Sequence, residues 1–199
     1  MRCFAYVLAA LAVSVPAAAD WNELNSVAEG FGVVFPAEPN IDEIAMFEVI
    51  PGKNVPARIY SASYNNNVFK MTVVDGRDAT LPEAAVIDQA IKRVSQGGEL
   101  KVNIPARIYR TYGRHLVIAR PGGNQTTASV FFSNDRLYQL EGTTMASGSD
   151  SDLIRFQQSL TFDRNVANRT AEQMASYRAA CAGINVNPAG LDDPRCVRR

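Results

Sequence analysis

The sequence predicts an α+β fold, a largely antiparallel β-sheet packed against helices. Three observations predict it. Short apolar runs with period-2 alternation recur between residues 30 and 142, separated mostly by turn-length polar or glycine-containing segments, so neighbouring strands join through hairpins. Stretches with helical spacing are few and set apart, unlike the strict strand–helix alternation of a parallel sheet. An apolar content of 47% and a charged content of 20% are those of a chain that buries a core.

The first segment, MRCFAYVLAALAVSVPAAAD, has a positive Arg2, an apolar run from Phe4 to Val15 and a small-x-small triplet, Ala17-Ala18-Ala19. This pattern predicts a signal peptide over residues 1–19, cut before Asp20. The apolar run is too short for a comfortable membrane anchor, and Cys3 lies too early for lipid attachment. No later segment reaches the ~20 apolar residues of a membrane helix. The mature chain is expected to be exported, periplasmic or secreted, with no membrane span after cleavage. Its remaining length, about 180 residues, suits one domain with a proper core. The formal charge of the whole chain is zero, which gives no long-range pull toward nucleic acid or anionic membranes.

The elements follow in order. Gly30 to Pro36, GFGVVFP, reads as a strand closed by proline. Ile44 to Ile50 reads as a second, ended by Pro51-Gly52. In the third, Val55, Ala57 and Ile59 alternate with Arg58 and Tyr60. Tyr64-Asn65-Asn66-Asn67 is a turn, and Val68 to Val74 is the next strand. A helix follows, with Thr80 and Glu83 as a capping box, Pro82 in the first turn and Ala84, Ile87, Ala90, Ile91 and Val94 as its apolar stripe. Gly97-Gly98 ends it. Val102, Ile104, Ala106 and Ile108 alternate with Arg107 and Tyr109, and Tyr112-Gly113-Arg114 is read as a turn. Leu116 to Ala119 and Thr126 to Phe132 are strands, and Ser133-Asn134-Asp135 turns the chain into a last strand, RLYQLEG. A second helix is predicted from Asp150 to about Leu160, with Leu153, Phe156 and Leu160 on one face and Ser149 or Ser151 as its cap. A third carries Met174, Tyr177 and Cys181 on one face. Cys181 and Cys196 form an even pair in an exported chain, which predicts a disulfide. The domain organisation is thus a signal peptide at 1–19, an α+β domain at 20–162 and a C-terminal helix with a disulfide-closed tail at 163–199.

Three of these pieces together resemble a known family. They are the opening strand GFGVVFPAEP, the late hairpin SVFFSNDRLYQLEG and the following helix DLIRFQQSLTF. The chain resembles the PsbP-like superfamily over about Phe31 to Phe162, as a bacterial exported member. The resemblance implies an antiparallel sheet between helices, an α/β/α sandwich, and proteins that bind other proteins and are not established enzymes. It implies no catalytic motif.

Residue by residue, the chemistry is sparse. His115 is the only histidine. Imidazole titrates near neutrality and serves nucleophilic catalysis, but no G-x-S-x-G elbow accompanies it, so a strand-end histidine is the plainer reading. Asp150, Asp152 and Asp192-Asp193 offer oxygens without a calcium-loop pattern. No catalytic, cofactor-binding or metal-binding residue is assigned. The aromatics Phe131, Phe132, Tyr138 and Phe156 either fill the core or wall an apolar pocket. Arg107, Arg110, Arg114 and Arg120 cluster with Tyr109 and Tyr112, which suits a solvated strand face or a protein contact.

Seven residues recur with one change: NVPARIY at 54–60 and NIPARIY at 103–109. They are read as equivalent strands whose Val/Ile, Ala and Ile face a helix layer. Arg58, Tyr60, Arg107 and Tyr109 then form an interaction patch if they share one exposed surface. The functional expectation is an exported non-enzymatic protein-binding or scaffold module, its partner another envelope protein. The alternatives are a small-ligand binder with an apolar pocket between sheet and helices, and an exported hydrolase using His115 or paired acids.

Overall fold

The computed structural model describes residues 21–162 apart from Asp78, Ala146, Ser147 and Ser149. The predicted cleavage site, the third helix and the Cys181–Cys196 pair lie outside the described residues. Ten strands and two helices follow in the order β1 (Asn22–Ser26), β2 (Phe31–Phe35), β3 (Asn40–Ile50), β4 (Lys53–Tyr64), β5 (Asn67–Asp75), α1 (Glu83–Ser95), β6 (Glu99–Ile108), β7 (Thr111–Ala119), β8 (Gln125–Ser133), β9 (Arg136–Thr144), α2 (Asp150–Gln158) and β10 (Thr161–Phe162). All pairings are antiparallel. A seven-stranded sheet runs β3-β4-β5-β9-β8-β7-β6, and a three-stranded sheet runs β1-β2-β10. The fold is α+β, as the sequence predicts.

Side chains alternate across the large sheet, so each face builds its own core. On one face Val49, Val55, Ala57, Val74, Leu116, Ile118, Ala128, Val130 and Leu137 meet Val86, Ala90 and Val94 of α1. On the other, Tyr60, Phe69, Met71, Val73, Phe131, Tyr138 and Leu140 meet Phe31, Val33 and Phe35 of β2 and Leu153, Phe156 and Leu160 at α2. Phe156 is fully buried between Phe35 and Phe69, with ring centroids 5.0 and 5.4 Å away. Burial of a side chain of this size contributes about 1.5–3 kcal/mol. The predicted helix layers therefore exist on both faces, but the second layer is shared with a small sheet. Its strands β1 and β10 are too short and irregular to show as periodic runs. Among the described residues, no helix is long and apolar enough to cross a membrane.

Several local expectations are corrected. The Thr80/Glu83 capping box does not form: α1 begins at Glu83, Pro82 is its extended N-cap residue, and no side chain caps it. The buried face of α1 is Val86–Ala90–Val94, and Ala84 is exposed. The Tyr112-Gly113-Arg114 turn is also absent. Ile108 pairs with Thr111, so the chain reverses at Tyr109-Arg110, where Tyr109 takes φ +53°, and residues 112–114 belong to β7. The asparagine turns hold: Asn65-Asn66 and Asn134-Asp135 both have two positive φ values, the geometry that suits the twist of a two-residue hairpin.

The prolines of the doublet sit where a missing N–H is tolerated. Pro56 lies opposite the bulge in β3 between Ile44 and Phe47, and the β4–β5 ladder begins one residue later, at Ala57. Pro105 lies on β6, an edge strand. Bulges and edges are the two places a sheet accepts proline.

Candidate functional site

One continuous row of paired residues crosses the large sheet: Glu43, Arg58, Val73, Tyr138, Phe131, Gly113, Ala106. Arg58 of the first heptapeptide thus shares a face with Ala106 of the second. The two copies are half a pleat out of phase. Val55 and Ala57 pack in the cluster under α1, whereas Ala106 and Ile108 pack against the cluster under α2. Each copy does present apolar side chains to a helix-bearing layer, but the layers are opposite ones, and Ile104 remains 51% exposed. The strands stand five intervals apart in the sheet, on the order of 24 Å.

The predicted patch of Arg58, Tyr60, Arg107 and Tyr109 is therefore not brought together. Tyr60 is buried, while Tyr109 is 56% exposed in a turn at the far edge. Arg58 and Tyr60 belong instead to a clasp on Glu29, in the turn between β1 and β2. Tyr60 donates to Glu29 Oε2 at 2.6 Å, and Arg58 reaches Glu29 Oε1 at 3.0 Å and Glu43 at 2.7 Å. Tyr138 donates to the Glu29 carbonyl at 2.6 Å, and the buried Arg136 donates to the Ala28 carbonyl at 2.9 Å. Burial, then the Glu29 carboxylate, pushes the Tyr60 phenol up to about 12. Burial pushes Tyr138 up to about 12 as well. Burial works against the Arg58 charge, yet hydrogen bonding and the nearby Glu29 hold its guanidinium above its ordinary value. The clasp fastens the three-stranded sheet to the large one, and its chemistry is consumed in doing so.

Other members of the arginine cluster are also engaged. Arg120 donates to the Gln96 and Val94 carbonyls at the end of α1 and to Thr126 at 2.9 Å, which satisfies carbonyls the helix leaves open. Arg114 bonds to Asn103 at 2.7 Å.

A concavity suited to binding lies elsewhere on the described residues. Helix α2 packs on β9 and touches β5 and β8, and so leaves the β6–β7 end of this face open. The resulting groove has a volume of about 610 Å³. Its floor comes from alternate residues of β8, Gln125, Thr127, Ser129 and Phe131, with His115 and Val117 of β7 beside them. Ala106 and Ile108 of β6 form one wall, and Leu153, Ile154 and Gln157 of α2 the other. Arg107 and Asp150 also border it. Gly142 of β9 allows the close approach: a Cβ there would run into the Leu153 side chain.

His115 faces this groove, directly paired with Ser129, Nδ1 lying 3.4 Å from Ser129 Oγ. Burial lowers the imidazole's pKa below the ordinary 6.5, which favours the neutral ring. Gln157 spends its amide N–H groups on the Thr127 carbonyl, at 3.0 Å, and the Leu140 carbonyl, at 3.5 Å. Its Oε1 is buried with no hydrogen-bond partner among the described residues. No three His, Cys, Asp or Glu side chains converge for a metal ion among the described residues.

Sequence reasoning singled out His115 and Asp150 separately and passed over Gln125, Thr127, Ser129 and Gln157. A signal for the first three existed. Within one strand, the set Thr126, Ala128, Val130 is buried while the opposite set is polar until Phe131. The aromatics Phe131, Tyr138 and Phe156 fill the core, and Phe132 packs partly buried on the α1 side.

No protein-family model matches the chain, and no curated protein matches it. Among solved structures the chain is similar to cyanobacterial PsbP (CyanoP) from Synechocystis sp. PCC 6803, at 14% identity over 77% of this chain and 97% of that one, with a TM-score of 0.47. It is also similar to PA94, a protein of unknown function from Pseudomonas aeruginosa, at 13% identity over 84% of this chain and 98% of that one, with a TM-score of 0.34.

Proposed function

We propose that this chain is an exported, non-enzymatic binding protein and that the groove between α2 and β6–β8 is its ligand site. The observation that carries the reading is the polar strip Gln125, Thr127, Ser129 and His115, which lies beside the apolar core of the same sheet face and takes no part in the Glu29 clasp. Polar side chains lining a concavity of about 610 Å³ match the usual make-up of small-ligand sites, which combine apolar walls with a few placed polar groups. The Ser129–His115 pair supports binding better than hydrolysis. Ser129 is only 6% exposed, sits in mid-strand, and no carboxylate among the described residues is bonded to the ring.

The test is protein-observed amide NMR on the full mature chain, titrated with the small-molecule fraction of its native envelope. Shifts clustered at Gln125, Thr127, Ser129 and His115 are expected. Shifts confined to other surfaces, or none, would remove the groove from consideration. Export is supported by the N-terminal pattern and is tested by sequencing the mature protein, expected to begin at Asp20.

Docking of another envelope protein is the second reading. It is favoured by the exposed Leu100, Ile104 and Tyr109 along the β6 edge. A photo-reactive residue at Ile104 that captures one defined partner, while one at Glu83 on α1 does not, is the result it requires.

A further inference from the structure

The groove's chemistry narrows what it accepts. We propose that its ligand is an uncharged, hydroxyl-rich molecule of glycan chemistry, an inference that rests on the groove being the binding site. Four observations converge. First, the floor is neutral: Gln125, Thr127, Ser129 and the uncharged His115 carry no net charge, and Gln157 and Gln158 add none. The bordering charges, Arg107 and Asp150, are of opposite sign. A charged ligand would shed its hydration there without a matching ion on the floor.

Second, one acceptor stands unmet. Gln157 Oε1 has no partner among the described residues, while the amide nitrogen is committed to two main-chain carbonyls. An amide oxygen of this kind in the groove wall is satisfied by an O–H or N–H donor and not by an anion or an apolar group, once the side chain turns to meet it. Ser129 supplies the complementary function. The Ser129 hydroxyl and the His115 ring, 3.4 Å apart, each carry donor and acceptor capacity, so the same floor offers both functions.

Third, the polar floor faces aliphatic walls, Ile108 and Val117 on one side and Leu153 and Ile154 on the other. A sugar ring has the same division, with hydroxyls around its rim and C–H groups on its faces.

Fourth, the groove is ill-suited to peptide main chain. Strands β7 and β8 are paired on both sides, so their backbone groups are already used and no ladder remains for an added strand. The free edge of this half is β6, and Pro105 in its middle has no N–H to give. Recognition in the groove must come from side chains.

The experiment titrates the full mature chain, observed by amide NMR, with three kinds of probe: neutral oligosaccharides (chitotriose, cellotriose and maltotriose), a decanoate ion, and an uncharged extended peptide. At least one oligosaccharide should shift Gln125, Thr127, Ser129 and His115. Thr127→Val, which removes a hydroxyl at nearly constant shape, should weaken that binding by about fivefold to tenfold. A Glu83→Gln control on α1 should not. Shifts of the same residues by decanoate or the peptide, with none from any oligosaccharide, would overturn the glycan assignment while leaving the groove as the site. If no probe moves the groove, and the native envelope fraction does not either, both readings fall together. Oligosaccharide binding unaffected by Thr127→Val would also overturn the assignment, because the polar strip is then not what recognises the sugar.

Discussion

Tyr60 donates its phenolic hydrogen to Glu29 Oε2 at 2.6 Å, across 31 positions of sequence and between two different sheets. Glu29 sits in the turn that links β1 and β2, and its other oxygen meets Arg58. The small sheet that covers part of one face is held by this carboxylate as well as by its apolar side chains.

Tyr60→Phe should therefore cost about 1–3 kcal/mol, because it takes a donor from a mostly buried carboxylate. Urea unfolding measures it. A Tyr60→Phe, Glu29→Gln double-mutant cycle should show coupling of about 0.5–3 kcal/mol. Simple additivity would mean the bond does not hold the turn.

The same network sets an alkaline limit. Tyr60 and Tyr138 are both raised, from the ordinary 10.0 to about 12. Groups with raised folded values contribute stability that is complete below pH 10 and is lost as pH rises through about 12. Two of the seven tyrosines should then resist phenolate formation until the chain unfolds. Phenolate absorbance against pH, compared with Tyr60→Phe, tests this. Free titration of all the tyrosines near pH 10 in a folded chain would contradict the clasp.

His115 works in the opposite direction. Burial lowers its value below the ordinary 6.5. The neutral ring's contribution is complete above pH 6.5 and is lost as pH falls through the lowered folded value. The imidazole signals should titrate below 6.5 by NMR, and groove binding should weaken over the same interval. A His115→Gln variant should bind without that pH dependence. A ring titrating at or above 6.5 would show it to be open to water.

Gly142→Ala should displace α2. The added methyl meets the Leu153 side chain, and overpacking of this kind costs about 1–3 kcal/mol. Faster amide exchange in residues 150–158 with little change in α1 is the expected signature. Uniform loss across both helices would mean that α2 is not a separable layer.

The long hairpins were legible because their signals are local. Asn-rich turns and alternating β-branched runs state their own geometry, and residues 125–144 read almost as they fold. The α1 cap and the Tyr109-Arg110 reversal were not, for the same reason in two places. Thr80 offers a hydroxyl, but Pro82 keeps an extended backbone at the cap. Tyr112-Gly113 offers a glycine, but Gly113 is spent on close packing, where a Cβ would strike Val130 and Phe131. The groove was harder still. It exists because α2 covers only part of a face, and the extent of coverage is a tertiary quantity that no window of sequence contains. His115 and Asp150 were visible as residue types. That they flank Ser129 and Thr127 on one concave surface follows from strand order, in which β8 lies between β9 and β7.

The phase difference between the two heptapeptides changes how probes on this chain must be read. A spin label at Ala57 would report on α1, and the same label at Ala106 would report on the groove, although the surrounding text is nearly identical. A substitution profile learned at one copy predicts the wrong side of the sheet at the other. Transplanting one heptapeptide onto the other would leave almost the same letters in place and test nothing. Deleting a single residue ahead of either copy would turn its strand over and bring the like letters into phase, at the cost of exposing one core and burying arginine in the other.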